Sequence, residues 1–248
     1  LGSDDVNRLQ IRLGRASPLI IVLIIVMIFA VLCVGVYLGD RYAQHRAEHR
    51  VATALGPHLG TPEPPQVDIE GFPFLTQVMV GSVGKIHIVA DQLGVSNNAP
   101  VILVHADLVM TDVATNDWFK TMKITHTEGT ALLDYTKLSA LAGAPLTYGS
   151  EGRVQIVHKT TVLGREVDAV ITGAPRLDVD EQTMTLSDAK ISVAGVNLPD
   201  FTAQALLAAL LKPIPLKGMP IGLTVMSIEA AGDGLHLALT GDSQTISS

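Results

Sequence analysis

Few residues in this 248-residue chain stand at spacings that perform chemistry. His45 and His49 lie one helical turn apart, which is metal-ligand spacing, but neither a third ligand nor a general base accompanies them. The plain alternative is a solvated helix face. His58, His87, His105, His126, His158 and His236 are scattered singly, the last five beside polar strand positions, where they read as solvent-facing. The acidic pairs Asp178/Asp180 and Asp180/Glu181 sit near a turn without the ligand spacing of a known calcium loop. The chain lacks G-x-S-x-G, the zinc-protease helix, a P-loop and the dinucleotide glycine fingerprint. The expectation is a protein that is not an enzyme, with no catalytic residue, metal or cofactor.

Two apolar loop clusters are more telling. Phe72, Phe74 and Leu75 fall in the run GFPFLTQ, and Trp118, the only tryptophan, stands beside Phe119. They either plug the ends of a core or border the mouth of an apolar cavity, where they would touch lipid.

What positions them begins with Leu19 to Leu38, twenty residues without charge, amide or proline. As a helix, such a run spans roughly 30 Å, the thickness of a bilayer's hydrocarbon core, and satisfies its own backbone there. A cleavable signal peptide is the rival, but its apolar core is usually shorter. The expected organisation is a cytoplasmic tail over 1–17, a single transmembrane anchor over 18–39, a juxtamembrane helix and Pro-rich linker over 40–66, and a β-rich domain over 67–248. Three arginines precede the span and three follow it closely, so positive charge alone leaves the orientation tied. A short N-terminal tail with three arginines favours a cytoplasmic tail and an extracytoplasmic (periplasmic) main domain.

From Val67 onward eleven Lys/Arg face nineteen Asp/Glu, and an acidic domain repels nucleic acid. Cys33, inside the span, is the only cysteine, so no intrachain disulfide can form.

Beyond the span, Ala43, Ala47, Val51, Leu55 and Leu59 recur every four residues and predict a helix that Gly56-Pro57 should stop. From Val67 the period changes to two. Ile86/Ile88, the alternate residues from Ile102 to Met110, Val154/Ile156, Val167–Ile171, Met184/Leu186, Leu223/Val225 and Leu235–Leu239 each mark a strand. Gly232-Asp-Gly234 signals a hairpin turn. Asp134 should cap a helix over Tyr135–Ala142 that ends at Gly143. A second helix, about 200–212, carries Phe201, Leu206, Leu207, Leu210 and Leu211 and has almost no polar face. The expected fold class is α+β, mainly antiparallel β, with a long curved sheet wrapped around this apolar helix.

The run from Val67 to Gln77, VDIEGFPFLTQ, resembles the hallmark of the LmeA-like family of actinobacterial envelope proteins. The likeness continues through Gly84–Ile88, Gly129–Leu133, Tyr135 and Leu138, Gly152–Val154, the Pro199–Leu211 helix and Pro220–Val225, within residues 43–241. The resemblance implies a membrane-associated, periplasmic phospholipid-binding protein that maintains envelope glycolipids such as lipomannan. It also implies a fold similar to tubular lipid-binding domains. It carries no ligand-contacting residues over.

The sequence then supports a cavity or its mouth at Phe72, Phe74, Leu75, Trp118, Phe119, Phe201, Leu206, Leu207, Leu210 and Leu211. The partners are phospholipid and membrane. Lys85, Lys120, Lys123 or Arg153 could meet a phosphate, and the sequence does not choose among them. The alternative is an anchored scaffold for envelope biosynthesis enzymes, with a packed core and Trp118–Phe119 as its docking patch.

Overall fold

The structure is a computed structural model that describes residues 18–94, 103–116, 118–162, 165–193, 196–197, 204, 207–208 and 210–247. Chain contacts divide it into a unit ending at Tyr42 and a unit from Ala43 to Ser248. The first unit contains the apolar part of helix α1 (Pro18–Leu59). Its side chains from Leu19 to Leu38 are largely exposed, and its mean hydropathy, 3.5, suits a membrane span. Arg41 lies over the Tyr37 ring, 5.8 Å from its centroid, a cation–π pair of the kind that favours a membrane–water boundary.

In the second unit the rest of α1 presents the stripe that the four-residue spacing predicts. Ala47, Val51, Leu55 and Leu59 are all buried. The helix does not stop at Gly56-Pro57. It runs to Leu59 and ends at Gly60, whose φ of 66° is left-handed. Proline breaks a helix by lacking an N–H and crowding the preceding turn. At position 57, one turn from the end, only a single bond is lost and burial of Leu59 outweighs it.

The sheets are antiparallel throughout. β1 (Gln66–Glu70), β2 (Ser82–Leu93), β3 (Leu103–Asn116), β5 (His126–Leu133), β13 (Gly234–Gly241) and β12 (Leu223–Ala231) follow one another across the larger, eight-stranded sheet. β4 (Thr121–Ile124) and β14 (Gln244–Ser247) complete it. The smaller sheet joins β6 (Leu146–Tyr148), β7 (Val154–Val162), β8 (Arg165–Asp178), β9 (Thr183–Val193), β10 (Val196–Asn197) and β11 (Ile214–Pro215). The β-structure curls as a half-barrel.

Alternation sets the faces. Ile86, Ile88 and Ala90 of β2, Ala106, Leu108 and Met110 of β3, and Leu235, Leu237 and Leu239 of β13 are buried in one core with the α1 stripe. Full burial of each such large side chain is worth about 1.5–3 kcal/mol. Gly129 of β5 lies so close to β3 that a Cβ there would come 2.2 Å from the Asp107 carbonyl oxygen, so only glycine fits.

The two expected local signals hold. Asp134 accepts a hydrogen bond from the Lys137 amide (2.7 Å) and caps α3 (Tyr135–Ala142), which ends at left-handed Gly143. Gly232-Asp233 turns β12 into β13, with Ala231 opposite Gly234. Residues 204, 207, 208 and 210 are helical, and the Leu211 amide donates to the Leu207 carbonyl. Leu207, Leu210 and Leu211 are half-buried against the same core as the α1 stripe, so this helix shares the interior with α1. Phe201 and Leu206 lie outside the described residues.

Candidate functional site

The GFPFLTQ run, expected as a loop, contains a short helix, α2 (Phe74–Val80). Gly71 enters it with a φ of 112°, and a Cβ there would strike the Gln77 side chain at 2.4 Å. Gln77 turns its amide back across this corner. Its Nε2 donates to the Glu70 carbonyl and its Oε1 accepts from the Gly84 amide, each at 3.4 Å. Glycine and glutamine thus fit each other, and Phe74 between them is fully buried.

Trp118 and Phe119 turn β3 into β4 with φ angles of 56° and 65°, left-handed for both. The Phe119 amide donates to Thr115 Oγ1 (3.2 Å) and the Lys120 amide to the Asn116 carbonyl (3.2 Å). The turn sends Phe119 inward and leaves Trp118 half-exposed. Phe119 stacks on Phe74, with ring centroids 6.3 Å apart and planes 6° from parallel. The two aromatic clusters of the sequence therefore meet at one end of the domain. Phe72 stays exposed and Leu75 is half-buried.

Outside this stack a groove of about 620 Å³ opens between α1 and the Trp118–Lys120 turn. That volume lies within the usual range of about 300–1,000 Å³ for ligand sites. Ala54, Pro57, Trp118 and Phe119 supply its apolar wall. His49, Arg50, His58 and Lys120 supply cationic or titratable groups, and no carboxylate is among the described residues lining it. His58 Nε2 donates to the Ser247 carbonyl at 3.3 Å, and this bond ties α1 to the end of β14. Thr53 turns its hydroxyl to the His49 carbonyl (2.8 Å).

Of the four cations considered for a phosphate, only Lys120 reaches this groove. Lys85 pairs with Glu70 at 2.9 Å, Arg153 donates to the Asp188 carbonyl, and Lys123 is exposed on β4. Sequence reasoning missed Arg50, Ala54, Pro57 and His58. They flank the buried stripe of α1 at three- and four-residue spacing, and that spacing was the available signal.

Four of the single histidines acquire carboxylate partners. His87 pairs with Asp107 (2.6 Å), His105 with Asp91 (2.7 Å), His126 with Glu128 (3.0 Å) and His236 with Asp233 (3.0 Å). His45 meets Glu48 at 2.9 Å, while His49 turns to the groove. Among the described residues, no three His, Cys, Asp or Glu side chains gather as a metal site.

No curated protein matches the chain, and no solved structure does. The family described as LmeA-like phospholipid-binding matches residues 38–240, a stretch that takes in α1 from the end of the span, the GFPFLTQ corner, the groove's Trp118–Lys120 turn and nearly all of both sheets. The chain belongs to the LmeA-like phospholipid-binding family.

Proposed function

We propose that this protein is a non-enzymatic phospholipid-binding protein, held by α1 in the cytoplasmic membrane with its β-rich domain on the extracytoplasmic side. The observation that carries the reading is the groove beside Trp118 and Phe119, apolar along Ala54 and Pro57 and cationic at Arg50 and Lys120. An acyl chain suits the first part, at about 0.8 kcal/mol for each CH₂ removed from water. A lipid phosphate suits the second, because charge-assisted hydrogen bonds are roughly twice as strong as neutral ones. The half-buried helix residues Leu207, Leu210 and Leu211 offer further apolar surface for acyl chains. The role that follows is to support biogenesis or maintenance of envelope glycolipids of the lipomannan type.

The test is native mass spectrometry with lipid extraction on residues 43–248, the unit with its own core. The expected result is one phospholipid per chain, lost when Ala54→Trp fills the groove. A protein that stays lipid-free with phospholipid added would refute the reading.

A further inference from the structure

The outer face of α2 is unusual for a helix in water. Its seven residues carry no charge. Met79 is 87% exposed and Val80 76%, and Phe72, just before the helix, is 60% exposed. Trp118, 50% exposed, belongs to the same end of the domain. There the Thr115 amide donates to the Gly81 carbonyl at 2.9 Å, and Phe119 stacks on Phe74 of α2. Four large apolar side chains thus gather on two adjoining turns, where isolated exposed residues would need no explanation.

The covalent chain says what lies within reach of them. The Gln44 amide donates to the Ile69 carbonyl at 2.6 Å, and Glu48 Oε1 accepts from the Ile69 amide at 3.3 Å. Ile69 stands two residues before Gly71. Gln44 itself is six residues past Leu38, the end of the apolar run. Six residues extend at most about 22 Å, so the anchor keeps this corner near the bilayer whatever the arrangement of the two units. β2 runs from this corner at Ser82 to Leu93, and the Gly94 amide just beyond it donates to the Leu59 carbonyl, fifteen residues past Gln44 on α1.

We infer that Phe72, Met79, Val80 and Trp118 form a second membrane contact, which seats the α2 corner in the bilayer interface. Aromatic rings favour that depth, and an uncharged helix face with Met and Val loses water there without burying a charge. Trp118 also lines the groove, so the seated corner brings the groove's mouth to the lipid surface. That last consequence rests on the lipid-binding reading, whereas the contact itself does not.

The experiment uses the full chain in vesicles of phosphatidylethanolamine and phosphatidylglycerol. Cys33→Ser gives a cysteine-free background, and Met79→Cys, Val80→Cys and Gly232→Cys each accept a nitroxide. Gly232 lies in the β12–β13 turn with open space around a built Cβ, and its neighbour Leu235 pairs with Leu133 at the end of β5. At 79 and 80, oxygen should relax the label more strongly than a water-soluble nickel chelate, and at 232 the order should reverse. Equal nickel accessibility at all three sites overturns the proposal. Labels at 79 and 80 that are immobilised without excess oxygen accessibility would indicate a protein partner and would also overturn it. Brominated lipid separates the two readings through native Trp118. Its quenching without the oxygen signature at 79 and 80 means a filled groove on an unseated corner. The oxygen signature with no lipid retained by residues 43–248 means a seated corner without a binding groove.

Discussion

The ring of Phe74 lies parallel to that of Phe119, at 6.3 Å, and joins the GFPFLTQ corner to the turn that carries Trp118. Both rings are buried. Phe74→Ala should therefore cost about 3–5 kcal/mol, as for other buried phenylalanines. The direct ring–ring term should be smaller, about 0.5–1.5 kcal/mol. Urea unfolding of Phe74→Ala, Phe119→Ala and the double variant measures both. Strictly additive losses would mean that the two rings share a core without interacting, and that the α2 corner does not steady the groove.

One side chain bridges the junction of the two sheets. Gln182, in the turn between β8 and β9, accepts from the Val225 amide (2.8 Å) and donates to the Val225 carbonyl (3.0 Å). β12 is the outer strand of the larger sheet's main path, so Gln182 gives this buried edge residue the pairing that a neighbouring strand would supply. Gln182→Asn keeps tolerance for the left-handed φ of 47° but shortens the reach. It should lose about 1–3 kcal/mol, the cost of leaving buried polar groups unpaired. A melting temperature equal to wild type would show that water or a shifted backbone replaces the amide.

Much of this architecture is legible from period alone. Ile86, Ile88, Leu235, Leu237 and Leu239 alternate with polar residues because one face of each strand meets the core, and Asp134 and Gly143 mark α3 by their capping chemistry. The α1 stripe is equally plain in Val51, Leu55 and Leu59, but period cannot say what a stripe packs against. The Gln182–Val225 pairing joins residues 43 apart through a side chain, and no local pattern encodes it. The same holds for the groove. Trp118 and Phe119 are conspicuous by type, whereas Arg50 and Ala54 look like ordinary helix residues until the β3–β4 turn stands over them. α2 is hidden for another reason: seven residues without charge or polar alternation give too short a window for a helical period.

Tyr135 should give the domain a distinct alkaline limit. Its hydroxyl donates to the Ala231 carbonyl at 2.6 Å and ties α3 to the β12–β13 turn. Burial, then the neighbouring Tyr148 and Asp233, push its pKa up from 10.0 to about 12. The neutral phenol is the form the fold prefers. Its contribution is complete below about pH 10 and falls away as pH rises through about 12. Residues 43–248 contain only two tyrosines, Tyr135 and Tyr148. Absorbance at 295 nm should show a phenolate step near pH 12. Tyr135→Phe should remove that step and flatten the alkaline fall in stability. A single shared titration near pH 10 would contradict the arrangement.

Two substitutions separate the polar and apolar parts of lipid binding. Arg50→Gln removes a fixed charge from the groove while keeping most of the stem. If Arg50 meets a lipid phosphate, the lost charge-assisted hydrogen bond is worth about 1.5–3 kcal/mol, roughly a 10- to 150-fold weakening for anionic phospholipid. Retention of uncharged lipid should change little. Leu207→Asp acts elsewhere, on a half-buried helix residue packed against the core. A carboxylate on that surface repels acyl chains whatever the headgroup, so total bound lipid should fall with no change in preference. Lipid extraction from both variants, with far-ultraviolet circular dichroism as a check on folding, reads the two effects separately. If Arg50→Gln alters neither amount nor preference while a folded Leu207→Asp loses its lipid, the acyl chains lie against Leu207, Leu210 and Leu211 and the α1 groove is not their site. The reverse pattern places the lipid along α1, between Arg50 and Trp118.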